Sequence, residues 1–451
     1  MKINPEIFRS YDIRAVYGED LTDEVAELLG KGYGTYMKQN NVNEVIVGRD
    51  SRFSSLALRD ALVKGLVSTG VNVLDIGLVT TPIYYYSREI YGIKPGIMIT
   101  ASHNPPEYNG FKMSTCGDER MFDEKIQDMR KLIEKGEFAE GEGSVREVSP
   151  VQDYIKELSE KCKIGKRKIK VVVDCGNGTA SIAAVKVLEG IGCEVIPLYC
   201  EIDPSQPNHI ADPAVIENMQ DLILKVKETN ADLGIGLDGD SDRIGVVDEQ
   251  GNIIFGDQYQ IIMLREILPK HPGASIPVEV KCSYALYEEI EKLGGKPFYQ
   301  KTGNPWIYDC VQHKGSPFAG EMSGHVFFAD EYYGYDDGLY AACRICRLLS
   351  NTDKKCSELL EGITKYYITP EMKFATPDNV KFEKIEKAKQ YFVDKGEEIV
   401  DVDGVRVLFK DGWGLLRASN TGPNIIMRCE ARTPEGLEQI KTEMETALKN
   451  A

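Results

Sequence analysis

The sequence predicts an α/β protein. It has three consecutive, similar α/β domains with mixed, mostly parallel sheets, and a smaller C-terminal α+β domain, set around a central cleft. Three observations predict this. A strand–helix–strand order recurs three times in the first three-quarters of the 451 residues. Each recurrence runs on to a polar loop in a corresponding position. The composition then shifts after about residue 366. At roughly 150 residues per domain, the length accommodates three or four domains.

The first pass reads EVIVGRDSR, LALRDALVKGLVSTG and VNVLDIGLVTTP. A β-branched run leads into a helix with apolar residues three and four apart, then into a second strand that ends in proline. The second pass is KIKVVVDCGNGTA, SIAAVKVLEGIG and CEVIPLYCEIDP; the third is IPVEVKCS, YALYEEIEKLG and GKPFYQKTGNP. Such βαβ units build parallel sheets covered by helices. The last part reads as a strand and amphipathic helix (MKFATPDNVKFEKIEKAKQYF), a hairpin with turns at Asp403-Gly404 and Asp411-Gly412, another strand (IIMRCEA) and a final helix. Expected domain spans are 1–150, 151–250, 251–367 and 368–451, with boundaries near GEGSVREVSP, DEQGN and YYITPE.

Hydrophobic residues make up 42% and charged residues 28%, which suits a globular chain and excludes a disordered or fibrous one. The net charge of −17 argues against nucleic acid and anionic membranes as partners. An anionic ligand then needs a local cluster of Lys and Arg, or a cation. No apolar run reaches a membrane span, and MKINPEIFRSYDIR has no apolar leader, so a cytoplasmic location is expected. The eleven cysteines read as buried reduced thiols. The one CxxC, Cys343–Cys346, has no second pair nearby to complete a zinc site.

Three polar loops carry the chemistry: ITASHNPPEYNG (99–110), LDGDSDR (237–243) and FAGEMSGH (318–325). Ligands of open α/β sheets bind beyond the C-terminal strand ends, so loops in register can converge. Asp238, Asp240 and Asp242 lie two apart after a strand-like run, and alternate side chains of an extended segment share a side. Three carboxylates that close call for a hard divalent cation, Mg²⁺ first; the other reading is a solvated acidic turn. An EF-hand fails because its sixth position is Arg243 instead of glycine. The G-x-G-x-x-G of Gly234, Gly236 and Gly239 fails because no helix begins there. Ser102, flanked by His103 and with Lys112 close in sequence, is a candidate phosphoryl nucleophile or carrier, or else a turn-forming hydroxyl. Glu321 and Ser323 suit the vicinal hydroxyls of a sugar. Arg417, Ser419, Asn420 and Thr421 in RASNTGP suit a phosphate cradle, or else a capping turn.

The motifs TASHNP, DGDSDR, GEMSGH and RASNT, in that order, together with FRSYDIR at 8–14, resemble the α-D-phosphohexomutase family in its bacterial phosphomannomutase/phosphoglucomutase branch. The resemblance covers the whole chain. It implies that Ser102 is the phosphorylated serine, and that Asp238, Asp240 and Asp242 hold one Mg²⁺ per chain with the phosphoserine. By the same resemblance Glu321 and Ser323 hold sugar hydroxyls, and Arg417, Ser419, Asn420 and Thr421 cradle the non-reacting phosphate. Tyr11, Arg14, Lys112, Arg243, Lys281 and His325 fall on matching positions. The implied reaction interconverts hexose 1-phosphate and hexose 6-phosphate, of mannose or glucose, through a hexose 1,6-bisphosphate. The sequence departs from the branch at Lys301-Thr302-Gly303-Asn304, where the branch carries KTGH, and at Gly422, where threonine is usual. Asparagine hydrogen-bonds but does not exchange a proton near neutral pH. Alternatives are a phosphoglucosamine mutase, a serine/metal phosphatase and a catalytically weak sugar-phosphate-binding protein. The oligomeric state is not legible.

Overall fold

The computed structural model describes residues 3–419 and 422–451. The chain divides into two compact units. One runs to Ile254 and adds Gly324–Val326 and Tyr335–Leu359; the other comprises Phe255–Ser323, Phe327–Gly334 and Leu360–Ala451.

The first unit contains two sheets. Strands β1 (Ile13–Val16), β2 (Glu44–Arg49), β3 (Asn72–Leu78), β4 (Gly96–Ile99), β5 (Tyr108–Met113) and β6 (Val145–Glu147) are ordered β1-β5-β4-β2-β3-β6. The β4-β2-β3-β6 run is parallel, whereas β5 and β1 are antiparallel additions. Val45, Val47, Ile97, Ile99 and Phe111 from this sheet join Leu29, Tyr33, Leu58 and Leu62 in one buried core. The helices Asp23–Gln39 and Ser55–Val67 cross at two glycines. A Cβ on Gly30 would lie 2.2 Å from the Leu62 carbonyl oxygen, and one on Gly65 2.2 Å from that of Glu27.

The second sheet is ordered β11-β10-β9-β7-β8, from β7 (Lys170–Asp174), β8 (Glu194–Leu198), β9 (Leu233–Leu237), β10 (Ile244–Asp248) and β11 (Ile253–Ile254). The β9-β7-β8 run is parallel, and β9 and β10 form an antiparallel hairpin in which Leu237 faces Ile244. The acidic triplet is thus the tip of a hairpin. Its carboxylates do not converge through strand alternation, as the spacing suggested, but because the tip turns, with Ser241 at φ 67°. Helix Gly338–Ser350 packs on β9 and β10.

In the second unit β12 (Ser275–Glu279) and β13 (Lys296–Gln300) pair in parallel, joined by helix Tyr284–Lys292, as the third strand–helix–strand pass requires. Strands β14 (Phe318–Gly320) and β15 (Val326–Phe328) form another pair. The C-terminal module is an antiparallel sheet ordered β16-β21-β20-β19-β18, from β16 (Tyr367–Ile368), β18 (Glu398–Val400), β19 (Val405–Phe409), β20 (Gly412–Ala418) and β21 (Asn424–Ala431), with β17 (Met372–Ala375) also on β21. Helices Asp378–Lys395 and Pro434–Asn450 cover it, Phe392 and Met444 meeting Leu416 and Met427 in its core. Arg406 is wholly buried, 3.6 Å from the centre of the Trp413 ring, and donates to the carbonyls of Val280 and Cys282 at 2.5 and 3.0 Å. The three α/β stretches and the distinct last module agree with the fold class read from sequence. Among the described residues no helix is long and apolar enough to cross a membrane.

Candidate active site

Ser102 lies in the tight loop between β4 and β5, in left-handed backbone at φ 50°, where a residue other than glycine is uncommon. Its amide donates to Thr100 Oγ1 at 2.9 Å. Arg52, at the end of the GRDSR segment after β2, holds the loop from beneath. Its guanidinium donates to the carbonyls of Ser102, Asn104, Pro105 and Tyr108 at 2.6–2.9 Å and pairs with Asp50 at 3.3 Å. Sequence reasoning missed Arg52. The only signal was an arginine beside the polar end of the first strand.

Six of the residues singled out meet at this loop: Ser102, His103, Lys112, Asp238, Asp240 and Asp242. Ser102 Oγ donates to Asp238 Oδ2 at 2.6 Å and lies 3.2 Å from His103 Nδ1. Lys112, on β5, donates to Asp240 Oδ2 at 2.7 Å and Asp242 Oδ2 at 2.6 Å. Thr81, also missed, donates to Asp240 Oδ2 at 2.6 Å from the start of helix Thr81–Ile90. Arg243 binds Asp238 Oδ1 through its amide at 3.1 Å and reaches His325 Nε2 through Nε at 3.0 Å. An arginine only donates, so His325 Nε2 accepts, and the ring hydrogen sits on Nδ1, 2.9 Å from Asp336 Oδ2. Asp336 is in turn held by Arg120 at 2.5 Å. Arg14 donates to Asn104 Oδ1 at 2.7 Å and Asp12 Oδ2 at 2.5 Å. Tyr11, just before β1, lies near enough to act electrostatically on Arg14 and Arg243.

The charges are poised for a cation. Ligand oxygens of Asp238, Asp240 and Asp242 lie within 4.8 Å of one another, and all three residues are buried. Burial, then the repulsion of Asp240 and Asp242, pushes the Asp238 carboxyl well above its ordinary value. Burial acts the same way on Asp240, but Lys112 overrides it and holds Asp240 ionised. Among the described residues Asp240 Oδ1 and Asp242 Oδ1 meet no hydrogen-bond donor. Two orphaned carboxylate oxygens beside a carboxyl driven to keep its proton fit a hard divalent cation, which relieves both. Burial, reinforced by Arg243 and Arg14, pushes His103 well below the ordinary histidine value, so its ring is neutral at pH 7.

In the second unit Lys281, Glu321 and Arg417 lie along one set of contacts centred on Glu279 and the Thr302-Gly303 turn. Glu279, at the end of β12, accepts from Thr302 Oγ1 at 2.8 Å and the Met322 amide at 2.7 Å, and lies 3.3 Å from Lys281 Nζ. Glu321 accepts from the Gly303 amide at 2.7 Å. Asn304 is the first residue of helix Asn304–Gln312. Ser323 lies two residues beyond Glu321 in the same loop. Arg417 Nε donates to Asp403 Oδ2 at 2.9 Å, and the same oxygen accepts from the Thr302 amide at 3.1 Å. Among the described residues Arg417 Nη2 is buried with no acceptor. The Ser419 carbonyl accepts from Lys381 at 2.6 Å. Asn420 and Thr421 lie outside the described residues. Glu279 and Asp403 were missed because each stands outside any motif, Asp403 reading only as a turn residue.

Four models of phosphoglucomutase/phosphomannomutase domains match consecutive stretches. They are alpha/beta/alpha domain I at residues 5–140, domain II at 152–251, domain III at 255–367 and the C-terminal domain at 371–447. The chain belongs to the phosphoglucomutase/phosphomannomutase family. A relative named phosphomannomutase/phosphoglucomutase from Pseudomonas aeruginosa is 44% identical over 98% of this chain and 95% of its own. A phosphoglucomutase from Neisseria gonorrhoeae is 38% identical over 99% and 98%. The crystal structure of a phosphoglucomutase/phosphomannomutase family protein from Burkholderia thailandensis superposes with a TM-score of 0.93 at 37% identity, covering 100% of this chain and 98% of that one. The family read from the four motifs is therefore borne out.

Proposed function

We propose that the protein is a phosphohexomutase interconverting hexose 1-phosphate and hexose 6-phosphate, of mannose or glucose, with Ser102 as the phosphoryl carrier. The observation that carries this reading is the Ser102 Oγ–Asp238 Oδ2 contact of 2.6 Å inside a cluster of three buried carboxylates. A hydroxyl so placed lies against the charged groups and the cation ligands that suit phosphoryl transfer. Asp238, Asp240, Asp242 and the Ser102 oxygen would hold one Mg²⁺ per chain. When bound, the ion supplies charge neutralisation to the transferring phosphoryl group.

Phosphorylated Ser102 gives its phosphoryl group to the free hydroxyl of the substrate, leaving a hexose 1,6-bisphosphate. That intermediate turns around and returns its other phosphate to Ser102. Lys112 and Arg243 offset developing charge, and neutral His103, 3.2 Å from Ser102 Oγ, shares the proton traffic. Glu321 and Ser323 bind two sugar hydroxyls. Arg417 with Ser419, Asn420 and Thr421 takes the non-reacting phosphate, reading phosphate alone and so accepting either isomer. Tyr11, Arg14, Lys281, Asn304 and His325 complete substrate contacts. Family membership favours the mutase over the phosphatase and binding-protein alternatives.

Intact-protein mass spectrometry after incubation with glucose 1,6-bisphosphate tests the carrier: one added phosphate mapped to Ser102 is expected. Ser102→Ala should lose both the label and glucose 6-phosphate formation from glucose 1-phosphate. A variant retaining more than about a hundredth of the rate would sink the covalent mechanism, since loss of a nucleophile costs far more.

A further inference from the structure

Cys175 and Cys200 lie just beyond the ends of the parallel neighbours β7 and β8. Asp174 pairs with Leu198, so Cys175 is level with Tyr199, and a regular strand would carry Cys200 one residue further along. Instead Tyr199 takes a left-handed conformation, φ 50°, in which an aromatic residue is an outlier. Its carbonyl accepts from the Asn177 amide at 2.8 Å, which fixes the reversal. The chain doubles back and brings Cys200 Sγ to 3.1 Å from Cys175 Sγ. Cys175 is buried, while Cys200 is only half-buried. The other cysteines within thiol–thiol reach, Cys162 with Cys343 and Cys193 with Cys346, are all buried. Cys175 with Cys200 is thus the pair with a partly exposed member, and the backbone at Tyr199 is held out of its ordinary range beside it.

We propose that Cys175 and Cys200 are a reversible disulfide site, oxidised by hydroperoxides. The Cys200 thiolate attacks the peroxide; an S–O bond forms, the O–O bond breaks and water or an alcohol leaves, giving a sulfenic acid. Cys175 then attacks the Cys200 sulfur; the S–S bond forms, the S–O bond breaks and a second water leaves with the Cys175 proton. Two thiols are oxidised by two electrons and one peroxide is reduced. The division of labour follows the environment. The contact with Cys175 holds the Cys200 thiol below its ordinary value, whereas that contact and burial hold Cys175 well above.

The segment that follows Cys175 touches the acidic hairpin tip. The Gly178 amide donates to the Cys175 carbonyl at 2.8 Å, and the Thr179 amide to the Gly239 carbonyl at 3.0 Å. A Cβ on Gly178 would lie 3.1 Å from Gly239 Cα. Replacing a 3.1 Å thiol contact with a bond of about 2.05 Å shifts the two cysteine segments together by about an ångström, and one of them runs on to the contacts with Gly239. Oxidation therefore disturbs the contacts that seat the tip between Asp238 and Asp240, and its effect on a cation rests on the proposed cation site.

The test treats the purified chain with hydrogen peroxide, then alkylates, digests and maps it. A cross-linked Cys175–Cys200 peptide is expected, with two of the eleven thiols lost and both regained in dithiothreitol. Cys175→Ser should trap a dimedone-reactive sulfenic acid on Cys200, and Cys200→Ser should form no cross-link. The proposal is overturned if both cysteines stay alkylatable, if a different pair closes, or if Cys200 passes to a sulfinic acid with Cys175 still free. Magnesium-induced thermal shift, read on reduced and oxidised protein, tests the coupling. The Mg²⁺ concentration at half-effect should rise several-fold on oxidation. An unchanged value would refute the coupling while the mass map decides the disulfide by itself, and absence of any Mg²⁺ effect in the reduced protein would refute the cation site instead.

Discussion

The backbone of Gly239 presses on the carbonyl of Ser102 so closely that a Cβ at residue 239 would lie 2.3 Å from the serine's oxygen. The glycine between the first two aspartates of the triplet is therefore a spacer. Any side chain there pushes the acidic tip off the serine loop.

Gly239→Ala is accordingly expected to cost activity out of proportion to its size. Backbone atoms cannot swing aside as a side-chain end can, so overpacking of this kind costs about 1–3 kcal/mol. The distance from Ser102 Oγ to Asp238 Oδ2 must lengthen, and kcat should fall by about ten- to a hundredfold. Steady-state kinetics together with thermal melting check this; wild-type kcat in the variant would contradict it.

Asp240→Asn should raise the Mg²⁺ concentration needed for half-maximal rate by at least about tenfold. The amide oxygen can still accept from Lys112 and Thr81, so the loop keeps its contacts, but the site loses a charge that a hard cation needs. A Mg²⁺ titration of activity reads it. An unaltered titration would leave the triplet as a mere acidic turn.

At residue 304 the expected effect is small. Asn304 opens a helix, where the dipole disfavours a protonated ring, and His103 and Lys112 already stand at the Ser102 loop. Asn304→His should change kcat by less than about tenfold and act mainly on its pH dependence between about 6 and 8. A hundredfold gain would mean that the chain lacks a proton-transfer group it needs.

His209 supplies a stability effect with a definite sign. Burial opposes its charge, but the bond from Nε2 to Asp174 Oδ2 at 3.0 Å outweighs it, and the folded-state pKa is raised. The ion pair therefore contributes fully below the unfolded value of about 6.5 and is lost as pH rises through the higher folded value. His209→Gln should lower the melting temperature more at pH 6 than at pH 8. Equal losses at both would assign the side chain a packing role alone.

Much of this arrangement was legible in the sequence because its carriers are local. The strand–helix–strand passes depend on periodicity, and TASHNP, DGDSDR, GEMSGH and RASNT each place several polar residues in one loop. What escaped is long-range. Arg52 meets Ser102 across 50 residues and Thr81 meets Asp240 across 159. Asp336 reaches Arg120 from 216 residues away. Each is a single charged or hydroxyl residue in otherwise ordinary surroundings, and only the tertiary fold gives it a partner. The triplet shows a subtler gap. Its convergence was foreseen, but through strand alternation, whereas a left-handed residue at Ser241 turns the tip.

Because four carbonyls of the Ser102 loop accept from the one guanidinium of Arg52, the loop gains its full set of contacts only once the segment after β2 and the start of β5 have come together. A nascent or unfolded chain thus carries an ordinary serine, indistinguishable from the others. In the proposed carrier role, the hydroxyl therefore becomes a nucleophile only as a result of folding, and no guarding segment is needed during synthesis.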